Sequence, residues 1–235
     1  MIDINCDVGE GVNNEHLLMP YITSCNIACG GHAGDEKMMT KVVELAKKHQ
    51  VKIGAHPSYP DKENFGRKSI LLSAKELNKT INHQIKALEK VASEFDMQLH
   101  HIKPHGALYN DIAKDNSLAK IFLDAIHKHL EKYVLYVPYE SQIEKEALRN
   151  NFKIIYEAFA DRNYNDDLNL VSRKESNAIL TDVNQIIEHI SLIKEKGEVR
   201  TISGQHLEIK ASTFCVHSDT NNSVEIVKKI HEKFI

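Results

Sequence analysis

A chain of 235 residues with 42% hydrophobic side chains is long enough to bury one sizeable core. Its 30 basic and 33 acidic residues are interspersed and leave a formal charge of −3, which gives no electrostatic footprint for nucleic acid or for an anionic membrane. The opening Met-Ile-Asp-Ile-Asn-Cys-Asp has neither a basic region nor a long apolar one, and no later run reaches the roughly 18 apolar residues of a membrane span, so the expected setting is the cytoplasm and the expected partners are small molecules or proteins.

Seven short β-like runs alternate with longer helical patterns, the signature of a parallel sheet assembled from βαβ units. In chain order the predicted strands are Ile2 to Cys6, Thr23 to Ala28, Val51 to Ala55, Leu99 to Lys103, Val134 to Pro138, Lys153 to Glu157 and Thr213 to Val216. The predicted helices are Glu36 to His49, Ser73 to Asp96, Ser117 to Lys132, Asp182 to Lys196 and Asn222 to Phe234. Each unit takes about 34 residues, close to the ~30 that a βαβ repeat needs. The pattern predicts one α/β-barrel domain over residues 1–235. Asp35 is placed to cap the helix that follows it, and Ser73-Ala-Lys-Glu76 has the spacing of a reciprocal capping box. Asp161 to Thr181 reads as a polar, irregular insertion, and Glu198 to Lys210 as a small hairpin.

Cys6, Cys25, Cys29 and Cys215 lack the spacing of a structural zinc site and read as reduced thiols. Three of them fall in apolar runs, while Cys29 stands beside glycines and could be a reactive thiol.

Side chains alternate faces along a strand. Asp3, Asn5 and Asp7 therefore share one face of the first strand, and Ile2, Ile4 and Cys6 turn to the helices. The same division recurs at Ser24 and Asn26, at His56, at His101, Lys103 and His105, and at His217 and Asp219. An ionisable barrel interior is expensive unless paired or hydrated. This sequence accepts that cost on five strands, toward the carboxyl ends where barrel enzymes place their chemistry.

The glycines at 30, 31 and 34 allow close ligand approach around His32, and Pro57 and Pro60 stiffen the loop after His56. Lys103-Pro-His-Gly-Ala-Leu-Tyr-Asn110 places a cation, an imidazole and a phenol within one turn. Lys103 could hold an oxyanion, His105 could move a proton and Tyr109 could position substrate. Asp7, His32 and His56 are candidates for activating water, and Glu10 is either a second acid or base or a solvated loop residue. Glu157, Asp161 and Arg162 follow the sixth strand, where Asp161 and Arg162 form either an ion pair or a site for a substrate carboxylate. Asn5, Asn26, His217 and Asp219 complete the expected substrate-binding set. Asp7, His32 and His56 also suit a divalent metal, although no compact metal motif accompanies them. His16, His49, His127, His129, His189, His206 and His231 are expected at the surface.

The separated motifs Asp3-Ile-Asn-Cys-Asp-Val-Gly-Glu10, Asn26-Ile-Ala-Cys-Gly-Gly-His-Ala-Gly-Asp35, Gly54-Ala-His-Pro57 with Tyr59-Pro-Asp61, Phe65-Gly-Arg67, Lys103-Pro-His-Gly-Ala-Leu-Tyr-Asn110, Phe159-Ala-Asp-Arg162 and Val216-His-Ser-Asp219 occur in order along the chain. Together they resemble the LamB/YcsF family. The resemblance implies a seven-stranded, TIM-barrel-like (β/α) barrel related to carbohydrate deacetylases and glycoside hydrolases. It also implies a part in the ATP-dependent opening of 5-oxo-L-proline to L-glutamate, together with partner subunits B and C. The sequence contains no GxxxxGK[ST] loop, so the ATP chemistry is expected in the partners. Departures from the family pattern are Gly31 where an aromatic is usual, Ser58 where glycine is usual, Lys68 where a second arginine is usual, and a shorter loop after Glu10. They leave open a different lactam or cyclic amide, and a metal-dependent deacetylase-like hydrolase is the alternative reading. A homo-oligomer is compatible with all of this.

Overall fold

The computed structural model describes residues 2–235. Seven parallel strands close a barrel in the order β1 (Asp3–Val8), β2 (Ser24–Ala28), β3 (Lys52–His56), β4 (Leu99–Ile102), β5 (Val134–Pro138), β6 (Ile154–Phe159) and β9 (Thr213–His217). The short antiparallel pair β7 (Glu198–Arg200) and β8 (His206–Glu208) forms the predicted hairpin outside the barrel. Seven units and the barrel class agree with the sequence pattern; β1, β6 and β9 extend further toward their carboxyl ends than the apolar runs alone suggested. The reason is visible in those extensions, where Asp7, Val8, Phe159 and His217 continue the ladder although polar residues among them interrupt the hydrophobic pattern.

The helices are α1 (Glu15–Leu18), α2 (Glu36–His49), α3 (Ala74–Glu94), α4 (Gly106–Lys114), α5 (Asn116–Ile126), α6 (Gln142–Arg149), α7 (Val183–Lys196) and α8 (Ser223–Phe234). Asp35 caps α2 by accepting from the Met38 amide, and Ser73 with Glu76 forms the full reciprocal box at the start of α3. The sequence pattern missed α4 and α6, because each is short and α4 begins inside the Lys103-Pro-His-Gly motif. Among the described residues, no helix is long and apolar enough to cross a membrane.

Two histidines expected at the surface are buried, His129 and His189. His189 donates from Nε2 to the Phe159 carbonyl at 3.1 Å, and burial pushes it down to about 4, so it packs as a neutral core residue. All four cysteines are buried. Burial pushes the Cys29 thiol up to about 12, which keeps it protonated and removes it as a nucleophile.

The apolar residues of each strand face outward to the helices, with Ile4, Cys6, Ile27, Ile53 and Val216 in one continuous core. The interior is polar and hydrogen-bonded layer by layer. At the amino end, Asp3 accepts from the hydroxyls of Thr23, Ser24 and Thr213 at 2.6–2.8 Å. Above it, Asn26 donates to Asn5 Oδ1 at 2.7 Å and to Asp7 Oδ1 at 2.8 Å, and His101 Nε2 donates to Asn26 Oδ1 at 2.6 Å. The His101 ring stacks on Tyr136 with centroids 4.0 Å apart. These buried polar groups therefore satisfy one another, as a low-dielectric interior demands.

Candidate active site

The carboxyl ends of the strands open into a cleft of about 580 Å³ lined by Asp7, Glu10, His56, Lys103, His105 and Tyr109, with Phe159, Arg162 and His217 on the opposite wall. Lys103 stands at its base with 2% of its surface exposed. Its ammonium lies 3.0 Å from Asp7 Oδ1, 2.9 Å from Glu157 Oε1 and 3.0 Å from Cys215 Sγ. Burial alone would lower the Lys103 pKa, but the carboxylates of Asp7 and Glu157 overcome it and keep the amine protonated. Burial likewise opposes ionisation of Asp7, and His56 with Lys103 reverses that and holds the carboxyl well below its usual range. With Asn5 Oδ1 at 3.3 Å as a fourth acceptor, the three protons of Lys103 are fully engaged, so an oxyanion would have to displace one partner; the thiol is the weakest acceptor among them.

Above Lys103, three imidazoles surround Glu10. His32 Nε2 is 2.8 Å from Glu10 Oε1, His105 Nδ1 is 3.2 Å from it and His56 Nε2 is 3.8 Å from it. Each ring is anchored on its far side. His56 Nδ1 donates to the Lys103 carbonyl at 2.7 Å, His105 Nε2 donates to the Phe65 carbonyl at 3.0 Å, and His32 Nδ1 lies 3.0 Å from Ser58 Oγ. Burial pushes His32 down to about 3 and also holds His105 below its ordinary value. For His56 burial acts the same way, but the adjacent Asp7 carboxylate prevails and raises it. Burial would raise Glu10; the hydrogen bonds from His105 and His32 hold it far below the usual carboxylate range.

Gly66 is the floor of this cluster. Its φ is +62°, and a Cβ there would come within 2.9 Å of His32 Cβ and 3.0 Å of His105 Cδ2. Gly31 and Ser58, two of the departures noted in the sequence, prove to be neighbours. A Cβ at Gly31 would overlap Ser58 Oγ and Gln84 Oε1, and Gln84 in turn holds both the amide and the carbonyl of Ser58. The absence of a side chain at 31 makes the room that the Ser58 hydroxyl and Gln84 use against His32.

On the opposite wall, Asp161 accepts from the His217 amide at 3.0 Å and from His217 Nδ1 at 2.9 Å. Burial would raise the Asp161 carboxyl; His217 and the Thr220 hydroxyl outweigh burial and lower it. Arg162 makes no ion pair with Asp161. It donates instead to the carbonyls of Val171 and Ala178, which fastens the polar insertion as a wall of the cleft. Asp219 sits at the rim, 28% exposed, between Arg67 at 2.6 Å and Arg173 at 3.3 Å. Tyr109 Oη and Glu157 Oε2 are buried without a well-formed hydrogen bond among the described residues, and burial together with the neighbouring Glu157 carboxylate pushes the Tyr109 phenol up.

The structure thus gathers Asp7, Glu10, His32, His56, Lys103, His105, Tyr109, Glu157 and His217 at the cleft and its base, with Asn5 and Asn26 in the layer beneath. It moves Asp219 to the rim and gives Arg162 a supporting part. Arg67, Arg173 and Cys215 were not singled out as site residues by the sequence reasoning. Arg67 lies in a quoted motif, whereas Arg173 is in the irregular insertion and Cys215 reads as an ordinary core residue, so no local pattern marks either. Among the described residues, the metal-capable groups are Glu10, His32, His56 and His105, and separately Asp7, Cys215 and His217. The expected set of Asp7, His32 and His56 is therefore divided between them.

A model of the LamB/YcsF family matches residues 2–235. The chain belongs to the LamB/YcsF family. Over 236 residues it is 38% identical to Staphylococcus aureus proteins named as the A component of 5-oxoprolinase, a match covering 98% of this chain and 94% of theirs. The crystal structure of a lactam utilization protein from Thermus thermophilus superposes with a TM-score of 0.90 at 30% identity, covering 98% of this chain and 94% of that one. A β-1,4-mannanase aligns over 98% of both chains with a TM-score of 0.51 and 11% identity, a likeness of fold alone. The motifs quoted from the LamB/YcsF pattern are the segments that build the cleft.

Proposed function

We propose that this LamB/YcsF chain hydrolyses a lactam, opening 5-oxo-L-proline to L-glutamate as the A component of an ATP-dependent 5-oxoprolinase in the cytoplasm. The observation that carries the reading is the cleft itself, where ionised Asp7 and Lys103 meet three convergent imidazoles beside Tyr109 and Glu157. The names of the relatives direct this general hydrolytic equipment toward a cyclic amide.

A five-membered lactam is a stable amide. Opening it needs an activated carbonyl, a positioned water and a proton for the departing nitrogen. ATP supplies the activation by phosphorylating the carbonyl oxygen on partner subunits B and C, consistent with the absence of a phosphate-binding loop in this sequence. In this reading Asp7, beside His56, takes a proton from the attacking water. Lys103 steadies the phosphorylated carbonyl oxygen, exchanging its contact with Cys215 for one with substrate. The carbon–nitrogen bond then breaks, the nitrogen takes its proton from His217, which Asp161 orients, and the acyl phosphate left behind is hydrolysed by a second water to L-glutamate and inorganic phosphate. His105, expected to donate that proton, has both ring nitrogens engaged by Phe65 and His56, so His217 is the better-placed donor.

The test is glutamate release from 5-oxo-L-proline and ATP, with and without subunits B and C. Release only with partners and ATP supports the reading. Release from another lactam in its place would assign the departures at Gly31 and Ser58 to substrate choice, and no release from any lactam would overturn it. With His217→Gln, turnover is expected to fall about 10²–10⁴-fold, while circular dichroism shows the barrel still folded.

A further inference from the structure

Hydrogen-bond direction fixes two of the imidazoles at the centre of the cleft. The Lys103 and Phe65 carbonyl oxygens only accept, so His56 carries its proton on Nδ1 and His105 carries its proton on Nε2. Their other nitrogens, His56 Nε2 and His105 Nδ1, face one another across 2.9 Å, and His56 Nε2 is also 3.5 Å from Asp7 Oδ2. Glu10 Oε1 completes a triangle, 3.2 Å from His105 and 3.8 Å from His56. Three electron-rich atoms at these separations repel unless a positive centre, a proton or a metal ion, lies among them.

The charge count points the same way. Asp7, Glu10 and Glu157 are carboxylates enclosed in the cleft and its base, and among the described residues Lys103 is the one permanent cation in contact with any of them. Arg162 is turned to the carbonyls of Val171 and Ala178. The carboxylates thus outnumber the permanent cation that touches them, an excess of negative charge that a bound cation would offset.

We infer that Glu10, His56 and His105 form a divalent metal site of the two-histidine, one-carboxylate kind, of a class suited to zinc, iron or manganese. The spacing supports it: a tetrahedral ion with bonds of about 2.0–2.1 Å has ligand–ligand edges of about 3.3–3.4 Å, and the observed edges of 2.9, 3.2 and 3.8 Å bracket that value. The two rings meet edge to face at 84° with centroids 4.8 Å apart. His32 is close by but is excluded from the set. Its ring is parallel to His105 within 1°, with centroids 3.6 Å apart, so an ion in the plane of one ring lies far out of the plane of the other. His32 lies behind the carboxylate: Nε2 is 2.8 Å from Glu10 Oε1, and Nδ1 is 3.0 Å from Ser58 Oγ, whose own proton goes to the Tyr59 carbonyl at 2.8 Å. A group so placed orients a ligating carboxylate, a common arrangement around protein metals.

The inference concerns the same cleft as the proposed lactam hydrolysis, but its test needs no substrate. Full-length protein is stripped with a chelator, dialysed, and titrated with Co²⁺ and with Zn²⁺, reading the visible ligand-field bands of cobalt and the bound metal by mass spectrometry. One ion per chain is expected, with cobalt bands of low coordination number. Glu10→Gln, His56→Gln and His105→Gln should each abolish stoichiometric binding. His32→Gln should retain the stoichiometry with affinity weakened about 10–100-fold. Circular dichroism and urea unfolding of every variant separate lost ligands from lost fold, and in any variant that fails to fold, His32→Gln and the parent protein still decide. The site is overturned if the folded parent binds no ion, if the triad variants bind as the parent does, or if His32→Gln loses binding as completely as they do. Stoichiometric metal without glutamate release would leave this site standing and remove the oxoprolinase reading.

Discussion

Removing the Lys103 ammonium would strand Asp7 and Glu157 in the barrel without a counter-charge. Breaking a buried pair this way costs about 3–5 kcal/mol, so Lys103→Met should lower the urea unfolding midpoint even though methionine fills much of the same volume. A loss under about 1 kcal/mol would mean that the carboxylates accept protons freely on losing their partner. Alternation along β1 and β4 made this pair legible before any coordinates, since Asp7 and Lys103 had to point into the barrel. It could not show that Lys103 reaches Asn5, Asp7, Glu157 and Cys215 at once, because those partners come from strands distant in the chain. His129 and His189 show the converse limit: each stands in an otherwise ordinary helical or turn sequence, and only packing decides that the ring is covered.

Elements with strong local signals are found where the residues place them. The Asp35 cap and the Ser73–Glu76 box start α2 and α3, and the amphipathic run that follows each of them supplies the buried face. α4 lacks such a signal and is defined by the surface it packs against, whereas α6 has one that the sequence reading passed over, Ser141 accepting from the Glu144 amide with the same Ser-x-x-Glu spacing. The polar insertion after β6 is an element of another kind, held by a side chain. Arg162 donates to the carbonyls of Val171 and Ala178, and Arg162→Met would leave both without that donor. The cost is about 1–3 kcal/mol for such groups when buried. Hydrogen exchange should accelerate over residues 163–181 and leave the barrel strands protected; uniform acceleration across the chain would show that the insertion is part of the global folding unit.

At the scale of the whole molecule, the polar interior ties stability to pH. The folded Asp161 carboxyl titrates below its usual value, with His217 and Thr220 overcoming the effect of burial. Its contribution to stability is therefore fully present above the unfolded value of about 3.9 and is lost as pH falls through the folded one. Urea midpoints of the parent should decline below about pH 4, and Asp161→Asn should be less stable at neutral pH and show a shallower acid limb; parallel curves would assign the acid sensitivity to other carboxylates. By itself the sequence determined the alternation of strands and helices, the face on which each polar side chain lies, and the family, because periodicity and ordered motifs are local properties of the chain. Only the tertiary structure decided which of those side chains meet. Barrel closure brings β1 beside β9 and lifts the loops carrying Glu10, His32, Phe65 and His105 over one opening. The separation of Lys103 with its carboxylates from the Glu10 imidazole cluster, and the parallel stack that sets His32 behind Glu10, follow from distances between segments that no local pattern encodes.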